Sequence, residues 1–125
     1  MVEPLGDLQL QVMEEVWRLG KATVAAVHEA LSAQRKIAYT TVLTTLRALE
    51  RRGMVTHEAA GKAYLYRPAV SREQYTNASV GKLVDDLFGG RREQLLCHLL
   101  GAERIGRTEL TRIRRIVGDA GEEAK

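Results

Sequence analysis

The stretch of residues 37–53 contains the side chains whose types and spacing point most directly to chemistry. Val42, Leu46 and Leu49 recur at helical spacing and would lie on one face of an α-helix. A second face of the same helix carries Thr40, Thr44, Arg47 and Arg51. Threonine is small enough to let a helix approach base edges, and arginine neutralises phosphate. The pattern therefore favours DNA binding over catalysis.

The positive charge of the chain is concentrated around this predicted helix. Over all 125 residues, 19 Lys and Arg stand against 16 Asp and Glu, which gives a formal net charge of +3. Residues 1–34 have two basic and five acidic side chains, residues 35–67 have seven and two, and residues 68–125 have ten and nine. The middle segment therefore has the basic surface expected for phosphate contact, although charge alone fits a solvated basic face equally well.

Composition excludes several classes of protein. The chain is 45% apolar and 28% charged, which is typical of a soluble protein with one domain or a small domain plus an appendage. No apolar run approaches the roughly 20 residues of a membrane span, so membrane insertion is not expected. The first residues lack the basic and apolar segments of a signal peptide, and we expect a cytoplasmic protein. A single cysteine excludes an internal disulfide.

Residues that could catalyse a reaction or bind a cofactor do not form recognisable motifs. His28, His57 and His98 lack the spacing of metal ligands on a helix face, and Cys97 beside His98 would need ligands from elsewhere. Glycine-rich phosphate loops, nucleophile elbows and carboxylate pairs in helical register are also missing from the sequence. We therefore expect no enzyme activity, no metal and no cofactor.

The first half of the chain is predicted to begin with three short amphipathic helices. Asp7 is expected to cap the first helix, which ends at Gly20, and Thr23 is expected to cap the second. The third helix runs from about Tyr39 to Gly53, where a glycine suits a helix C-terminus. Three such helices with tight links, the last facing outward, predict a helix-turn-helix unit.

A change to a period of two after the third helix predicts a β-hairpin. Residues 55–59 and 63–67 form two candidate strands around a glycine–lysine turn, and Pro68 ends the second strand. A hairpin in this position is the wing of a winged helix. Lys62 at its tip and Arg67 near its end are then candidates for contact with flanking phosphates. An ordinary solvated turn lysine is the alternative for Lys62.

The rest of the chain is predicted to form three more helices. The fourth begins with a capping box of Ser71 and Gln74, the fifth ends at Gly101, and Thr108 caps the sixth. Residues 118–125 have no pattern and are expected to fray.

Each of these three helices carries an apolar stripe that must be covered. We expect a second copy of the chain to cover the stripes, because a winged helix already closes its own core; packing against the first domain is the alternative. The sequence thus predicts a mainly α fold with a small β-wing. Residues 1–70 would form a winged helix-turn-helix DNA-binding domain and residues 71–125 a helical dimerisation region. The predicted dimerisation residues are Leu83, Leu87, Phe88, Leu95, Leu96, Leu99, Leu110, Ile113, Ile116 and Val117.

Several short motifs recur in the order found in one family of regulators, over about residues 5–117. The motifs are VMEEVW at 12–17, ATV at 22–24, HEAL at 28–31, AYTTV at 38–42, LERRG at 49–53 and LFGG at 87–90. The string at 38–42, at the head of the third helix, is the most specific. Together the motifs closely resemble the penicillinase repressor family, the BlaI/MecI group of bacterial regulators.

The resemblance implies a homodimeric winged-helix repressor whose N-terminal domains bind the two halves of a palindromic operator in double-stranded DNA. In the family the third helix enters the major groove, so Thr40, Thr41 and Thr44 match positions that contact bases or backbone. Leu43 lies beside them, and contact with a thymine methyl and a half-buried core position are equally open for it. The expected DNA-binding residues are Tyr39, Thr40, Thr41, Leu43, Thr44, Arg47, Arg51, Lys62 and Arg67.

Departures from the family pattern concern regulation. Family members that control β-lactam resistance are inactivated when a membrane sensor triggers cleavage between an asparagine and a phenylalanine in the fifth helix. The matching pair here is His98–Leu99, which argues against induction by the same protease. Another branch senses copper through a cysteine-rich tail, whereas Cys97 is the only cysteine of this chain.

A further departure from the family pattern concerns the stability of the third helix. Ala38 replaces a polar cap, which weakens the start of this helix by about 1 kcal/mol.

Two other functions stay open on the sequence alone. Some winged helices bind proteins rather than DNA. A ligand-gated regulator would instead hold a small molecule between its dimer lobes, and the leucine-lined fifth helix could supply the pocket.

The family resemblance also suggests a regulatory context. The regulated genes would be β-lactam-resistance or stress genes, and a membrane sensor protease would act upstream.

Overall fold

A computed structural model describes residues 4–101 and 105–124 of the chain. Its elements in chain order are α1 (Asp7–Leu19), α2 (Val24–Ser32), α3 (Tyr39–Arg51), β1 (Val55–Ala60), β2 (Ala63–Pro68), α4 (Arg72–Phe88), α5 (Arg92–Gly101) and α6 (Arg107–Glu123). This order confirms the predicted fold class, a mainly α chain with a two-stranded wing after the third helix.

The chain divides into two compact units, residues 1–82 and residues 83–125. The division falls inside α4, twelve residues after the domain boundary predicted at residue 70. Assignment of the second unit to dimerisation stays a prediction. Within the described ranges, no helix has both the length and the apolar character that a membrane span requires.

A buried apolar core holds the first unit together. Helices α1, α2 and α3 pack against one another, and the β-hairpin packs against all three. Trp17 lies at the edge of the core: its indole Nε1 donates to the carbonyl of Val70 at 2.9 Å, and its ring lies 5.9 Å from that of Tyr75. These contacts join the first turns of α4 to α1. The core side chains are Val12, Met13, Val16, Ala22, Val24, Val27, Leu31, Val42, Leu46, Leu49, Met54, Val55 and Tyr66.

The helix starts confirm some of the predicted caps and correct others. Thr23 caps α2, because its hydroxyl accepts from the backbone N–H of Ala26 at 3.1 Å. Asp7 and Thr108 were wrong as caps, since glycines in extended conformation, Gly6 and Gly106, occupy those positions. An N-cap must leave the helical conformation. Asp7 instead lies in the first turn of α1, where its negative charge favours the positive end of the helix dipole.

The wing is a regular antiparallel hairpin whose register runs from Val55 opposite Pro68 to Ala60 opposite Ala63. Each strand is one residue longer than predicted. Gly61 opens the turn with a φ of 64°, a conformation that favours glycine at the first central position of a type II′ turn. Tyr66 exchanges two 2.8 Å backbone hydrogen bonds with Ala22, which fastens the second strand to the segment before α2.

The second unit contains the end of α4 together with α5 and α6. The predicted break at Gly89 and Gly90 is confirmed, with φ values of 58° and 82°. The prediction that residues 118–125 fray was wrong for residues 118–123, because α6 continues to Glu123. Gly118 and Gly121 lower helix propensity, but glycine keeps its N–H and carries no ring, so the helical hydrogen bonds continue through it.

The start of α3 lacks a side-chain cap, as the sequence predicted. Ala38 is the N-cap residue, and its side chain has no hydrogen-bonding group to offer. We expect Ala38→Ser to raise the free energy of unfolding by about 1 kcal/mol, because a serine hydroxyl accepts from an otherwise unbonded N–H. Urea titration measures the change.

The matched control is Ala33→Ser at the C-cap of α2, because the unpaired backbone groups at a helix C-terminus are carbonyls rather than N–H groups. Equal stabilisation by both serines would contradict the capping argument.

Candidate nucleic-acid interface

Helix α3 has two faces, one buried and one exposed. Val42, Leu46 and Leu49 are fully buried and pack against α1 and α2, which confirms the apolar stripe predicted from the sequence. Thr45 is also buried, and its hydroxyl donates to the carbonyl of Thr41 at 2.7 Å. Thr45 therefore supports the helix internally and is not available to a ligand.

The opposite face presents most of the predicted DNA-binding side chains to solvent. Thr40, Thr44, Arg47 and Arg51 lie at intervals of three or four residues along one stripe, and all four are exposed. Within the described residues, neither arginine forms an ion pair and neither threonine hydroxyl forms a hydrogen bond. The stripe thus combines free hydroxyls with positive charge that no described carboxylate neutralises.

The remaining α3 candidates differ in exposure. Tyr39 is 48% exposed, and Thr41 is exposed beside it. Leu43 is only half-buried, because it packs against the edge of the core. Of the two alternatives left open for Leu43, this position is closer to the half-buried core leucine, although part of the side chain remains accessible.

Electrostatics at the start of α3 favour an anion. The first turn contains no acidic residue, and no side chain caps the helix. The first backbone N–H groups of the helix, at Tyr39 and Thr40, therefore point outward at the positive end of the helix dipole. Backbone N–H groups in this position commonly bind phosphate.

A histidine that the sequence did not assign to the interface positions the start of α3. The Nε2–H of His28 donates to the carbonyl of Ile37 at 2.9 Å, and the carbonyl acceptor fixes the proton on this nitrogen. The imidazole also contacts the ring of Tyr39 edge-on, with centroids 5.7 Å apart. His28 thereby ties α2 to the link before α3. No periodic pattern in the sequence predicts the contacts of His28.

The two basic wing candidates differ in their surroundings. Lys62 is exposed at the turn between β1 and β2. Arg67 is half-buried, and its guanidinium pairs across the hairpin with Glu58. A phosphate contact by Arg67 would have to compete with this carboxylate, whereas Lys62 has no such competitor among the described residues.

A second contact missed from the sequence joins α3 to the wing. Nδ1 of His57, on β1, donates to the Glu50 carboxylate at 2.7 Å, and the imidazole stacks on Tyr64 of β2 with centroids 4.3 Å apart. The Tyr66 ring also contacts the His57 imidazole, with centroids 5.6 Å apart. Burial raises the pKa of the Tyr66 phenol above its ordinary value, and the nearby Glu50 carboxylate adds to the rise.

The predicted dimerisation residues lie in the second unit and are incompletely covered within one chain. Leu87, Leu99 and Ile116 are 67%, 61% and 67% exposed. Leu83, Leu96 and Val117 are also exposed, whereas Phe88, Leu95, Leu110 and Ile113 are half-buried.

The cysteine and the potential metal ligands form no metal site among the described residues. Cys97 is an exposed free cysteine. Across residues 4–101 and 105–124, no cluster of three His, Cys, Asp or Glu side chains could hold a metal ion.

The chain is similar to known repressors over nearly its whole length. The profile of the penicillinase repressor family matches residues 5–119. A protein named transcriptional regulator BlaI, from two strains of Mycobacterium tuberculosis, is 38% identical over 120 residues, which cover 92% of this chain and 83% of the relative. The penicillinase repressor of Bacillus licheniformis is 19% identical over 116 residues, which cover 93% of this chain and 91% of that repressor.

Solved structures support the predicted fold. The solution structure of the DNA-binding domain of the repressor BlaI covers 60% of this chain and 92% of its own, with 24% identity and a TM-score of 0.54. The monomeric form of Bacillus licheniformis BlaI, in complex with the blaP half-operator, gives the same coverage and identity with a TM-score of 0.52. From the family profile and the 38% identical relative, this chain belongs to the penicillinase repressor family.

Proposed function

We propose that this chain is a DNA-binding transcriptional repressor that binds a palindromic operator as a homodimer. The observation that carries the proposal is the exposed stripe of Thr40, Thr44, Arg47 and Arg51, held outward by the buried face of the same helix. In this proposal α3 enters the major groove and the wing lies over the adjacent backbone. The half-operator complex of Bacillus licheniformis BlaI supports such a role for a protein of this family.

The threonines and the arginines of α3 are proposed to contact different parts of the DNA. The threonines near the start of the helix are short, so the backbone can approach the bases while their hydroxyls donate or accept hydrogen bonds. The arginines one and two turns later are long enough to reach phosphates on the groove walls. Phosphate contacts fix the register of the helix, and base contacts supply the sequence preference.

A second copy of the chain would cover the apolar side chains of α4, α5 and α6 and bring a second α3 to the DNA. Two recognition helices on the same side of a duplex read half-sites about 34–36 Å apart, one helical turn of DNA. Bound over a promoter in the cytoplasm, such a dimer would block transcription. This role requires no catalysis by the chain.

The regulated pathway is proposed at the level of the family only. Genes for β-lactam resistance or for stress responses are the expected targets. At the position where family members are cleaved after a membrane sensor responds, this chain has His98–Leu99 on α5. We therefore propose that its inducing signal differs from cleavage by the same protease.

The arginines of α3 are expected to make the affinity for DNA depend on salt concentration. Arg51→Ala should weaken binding to any duplex sequence and reduce the slope of log affinity against log salt by about one, because one phosphate contact is lost. Fluorescence anisotropy at a series of salt concentrations measures both quantities.

Arg52→Ala is the matched control, since the Arg52 guanidinium donates to the Gln9 side chain at 2.6 Å. If Arg51→Ala leaves the slope unchanged, as is expected for Arg52→Ala, then α3 does not contact phosphate through Arg51. If the wild-type chain fails to bind random duplex DNA even at low salt, a protein-binding winged helix replaces the proposed function.

The threonines of α3 are expected to determine part of the preferred DNA sequence. Thr44→Val keeps the shape of the side chain but removes its hydroxyl, so we expect it to change the preferred base at one operator position. Selection of binding sites from a random duplex library, repeated for the wild type and the variant, measures the preference. Thr111→Val on α6, another exposed helical threonine, is the control. Identical selected sites for all three proteins would exclude a base contact by Thr44.

The exposed leucines of the second unit are expected to be required for dimer formation. Leu99→Glu should convert the dimer to a monomer, because a carboxylate on this apolar surface would be buried without a partner. Since Leu99 is 61% exposed in one chain, the substitution should leave the fold of the monomer intact. Sedimentation velocity measures the mass. Gln94→Glu adds the same charge to the opposite face of α5 and should leave the dimer unchanged; a dimeric Leu99→Glu variant would contradict the proposed interface.

A further inference from the structure

We propose that Glu50, His57 and Tyr64 form a clamp that holds the wing at a fixed angle to α3, so that Lys62 reaches DNA phosphate. We call these three residues the α3–wing clamp. The inference rests on the proposed DNA binding and assigns a positioning role to residues that contact no DNA themselves. None of the three residues is a lysine or an arginine, so basic charge in the sequence does not mark them as phosphate ligands.

The hydrogen-bonding half of the clamp connects the last turn of α3 to β1. Nδ1 of His57 lies 2.8 and 2.7 Å from the two carboxylate oxygens of Glu50, so the Nδ1–H donates to both. Both side chains are 33% exposed, which leaves the contact partly screened from water. Among the described residues, it is the only side-chain hydrogen bond between α3 and the hairpin.

The aromatic half of the clamp carries this restraint to the wing tip. The His57 imidazole stacks on the Tyr64 ring with centroids 4.3 Å apart and planes 30° from parallel. Tyr64 lies on β2 only two residues after Lys62. The base of the hairpin is held by the core and by the backbone bonds between Tyr66 and Ala22, whereas residues 56–64, which include the turn, are all exposed. A restraint close to the turn therefore limits where the Lys62 ammonium can lie.

The clamp also controls a negative charge at the proposed interface. Glu50 lies between Arg47 and Arg51 in sequence and is one of only two acidic residues within 35–67. A free carboxylate there would repel phosphate. The hydrogen bond from His57 draws the Glu50 carboxylate toward the wing, while the two arginines remain exposed on the stripe.

A double-mutant cycle between His57 and Lys62 tests the clamp. His57→Phe keeps a ring that can stack on Tyr64 but removes the Nδ1–H. In the wild-type background, we expect Lys62→Ala to weaken binding to random duplex DNA about fivefold and to lower the salt slope by about one. In the His57→Phe background, the same substitution should cost less than twofold, because the wing tip is no longer held near phosphate.

Three further variants keep the test decisive. Glu50→Ala breaks the clamp from the side of α3 and should reduce the effect of Lys62→Ala in the same way if His57→Phe fails to fold. Glu50→Gln retains an acceptor for the Nδ1–H of His57, so Lys62→Ala should keep most of its effect in this background. Thr56→Val, an exposed change next to His57 on β1, should leave the full fivefold effect.

The outcomes separate the clamp from the proposed function. If the wild type binds DNA and Lys62→Ala costs the same in every background, the wing does not depend on the clamp and the inference is overturned. It is also overturned if Lys62→Ala has no effect in the wild type. If no variant binds DNA, including the wild type, the proposed function itself fails.

Discussion

The burial of one face of α3 is the interaction on which the rest of the structure depends. Val42, Leu46 and Leu49 fix the rotation of the helix about its axis, and this rotation decides which side chains meet the solvent. Burying each of these side chains contributes about 1.5–3 kcal/mol. The missing cap at Ala38 costs only about 1 kcal/mol, so packing determines the position of α3 despite its weak start. The exposed threonines and arginines are a consequence of this packing.

The second unit obeys a different constraint. Its three helices carry large apolar side chains, yet one chain leaves several of them more than half exposed. The last turn of α6 contains Glu122 and Glu123 and no basic residue, opposite to the preference of the helix dipole for positive charge at the C-terminus. In our proposal a second copy supplies the missing contacts, so that assembly and operator binding depend on each other.

The regular parts of the fold could be predicted from the sequence, because period and turn chemistry determine them locally. The apolar stripe of α3, the cap at Thr23 and the break at Gly89 and Gly90 are all of this kind. The caps at Asp7 and Thr108 were wrong because extended glycines, one residue before Asp7 and two before Thr108, occupy the N-cap position. Continuation of α6 through residues 118–123 was missed because glycine lowers helix propensity without ending a helix.

Contacts between elements were the part of the candidate site that the sequence could not provide. His57 and Glu50 are seven residues apart, on a strand and a helix, and their contact depends on how the hairpin folds back on α3. The pairing of Arg67 with Glu58 likewise requires the strand register. The half-buried position of Leu43 depends on how closely α3 packs against the core edge. No spacing rule along the chain encodes these three arrangements.

Amide chemical-shift mapping by NMR, with duplex DNA titrated into the labelled protein at low salt, tests the central claim most directly. We expect the largest shifts at the start of α3, around Thr40 and Thr44, and at the wing turn around Lys62. Amides on the buried side of α3 and on the outer surface of α1 should move little. Shifts concentrated away from α3 and the wing, or no shifts at all, would contradict the account.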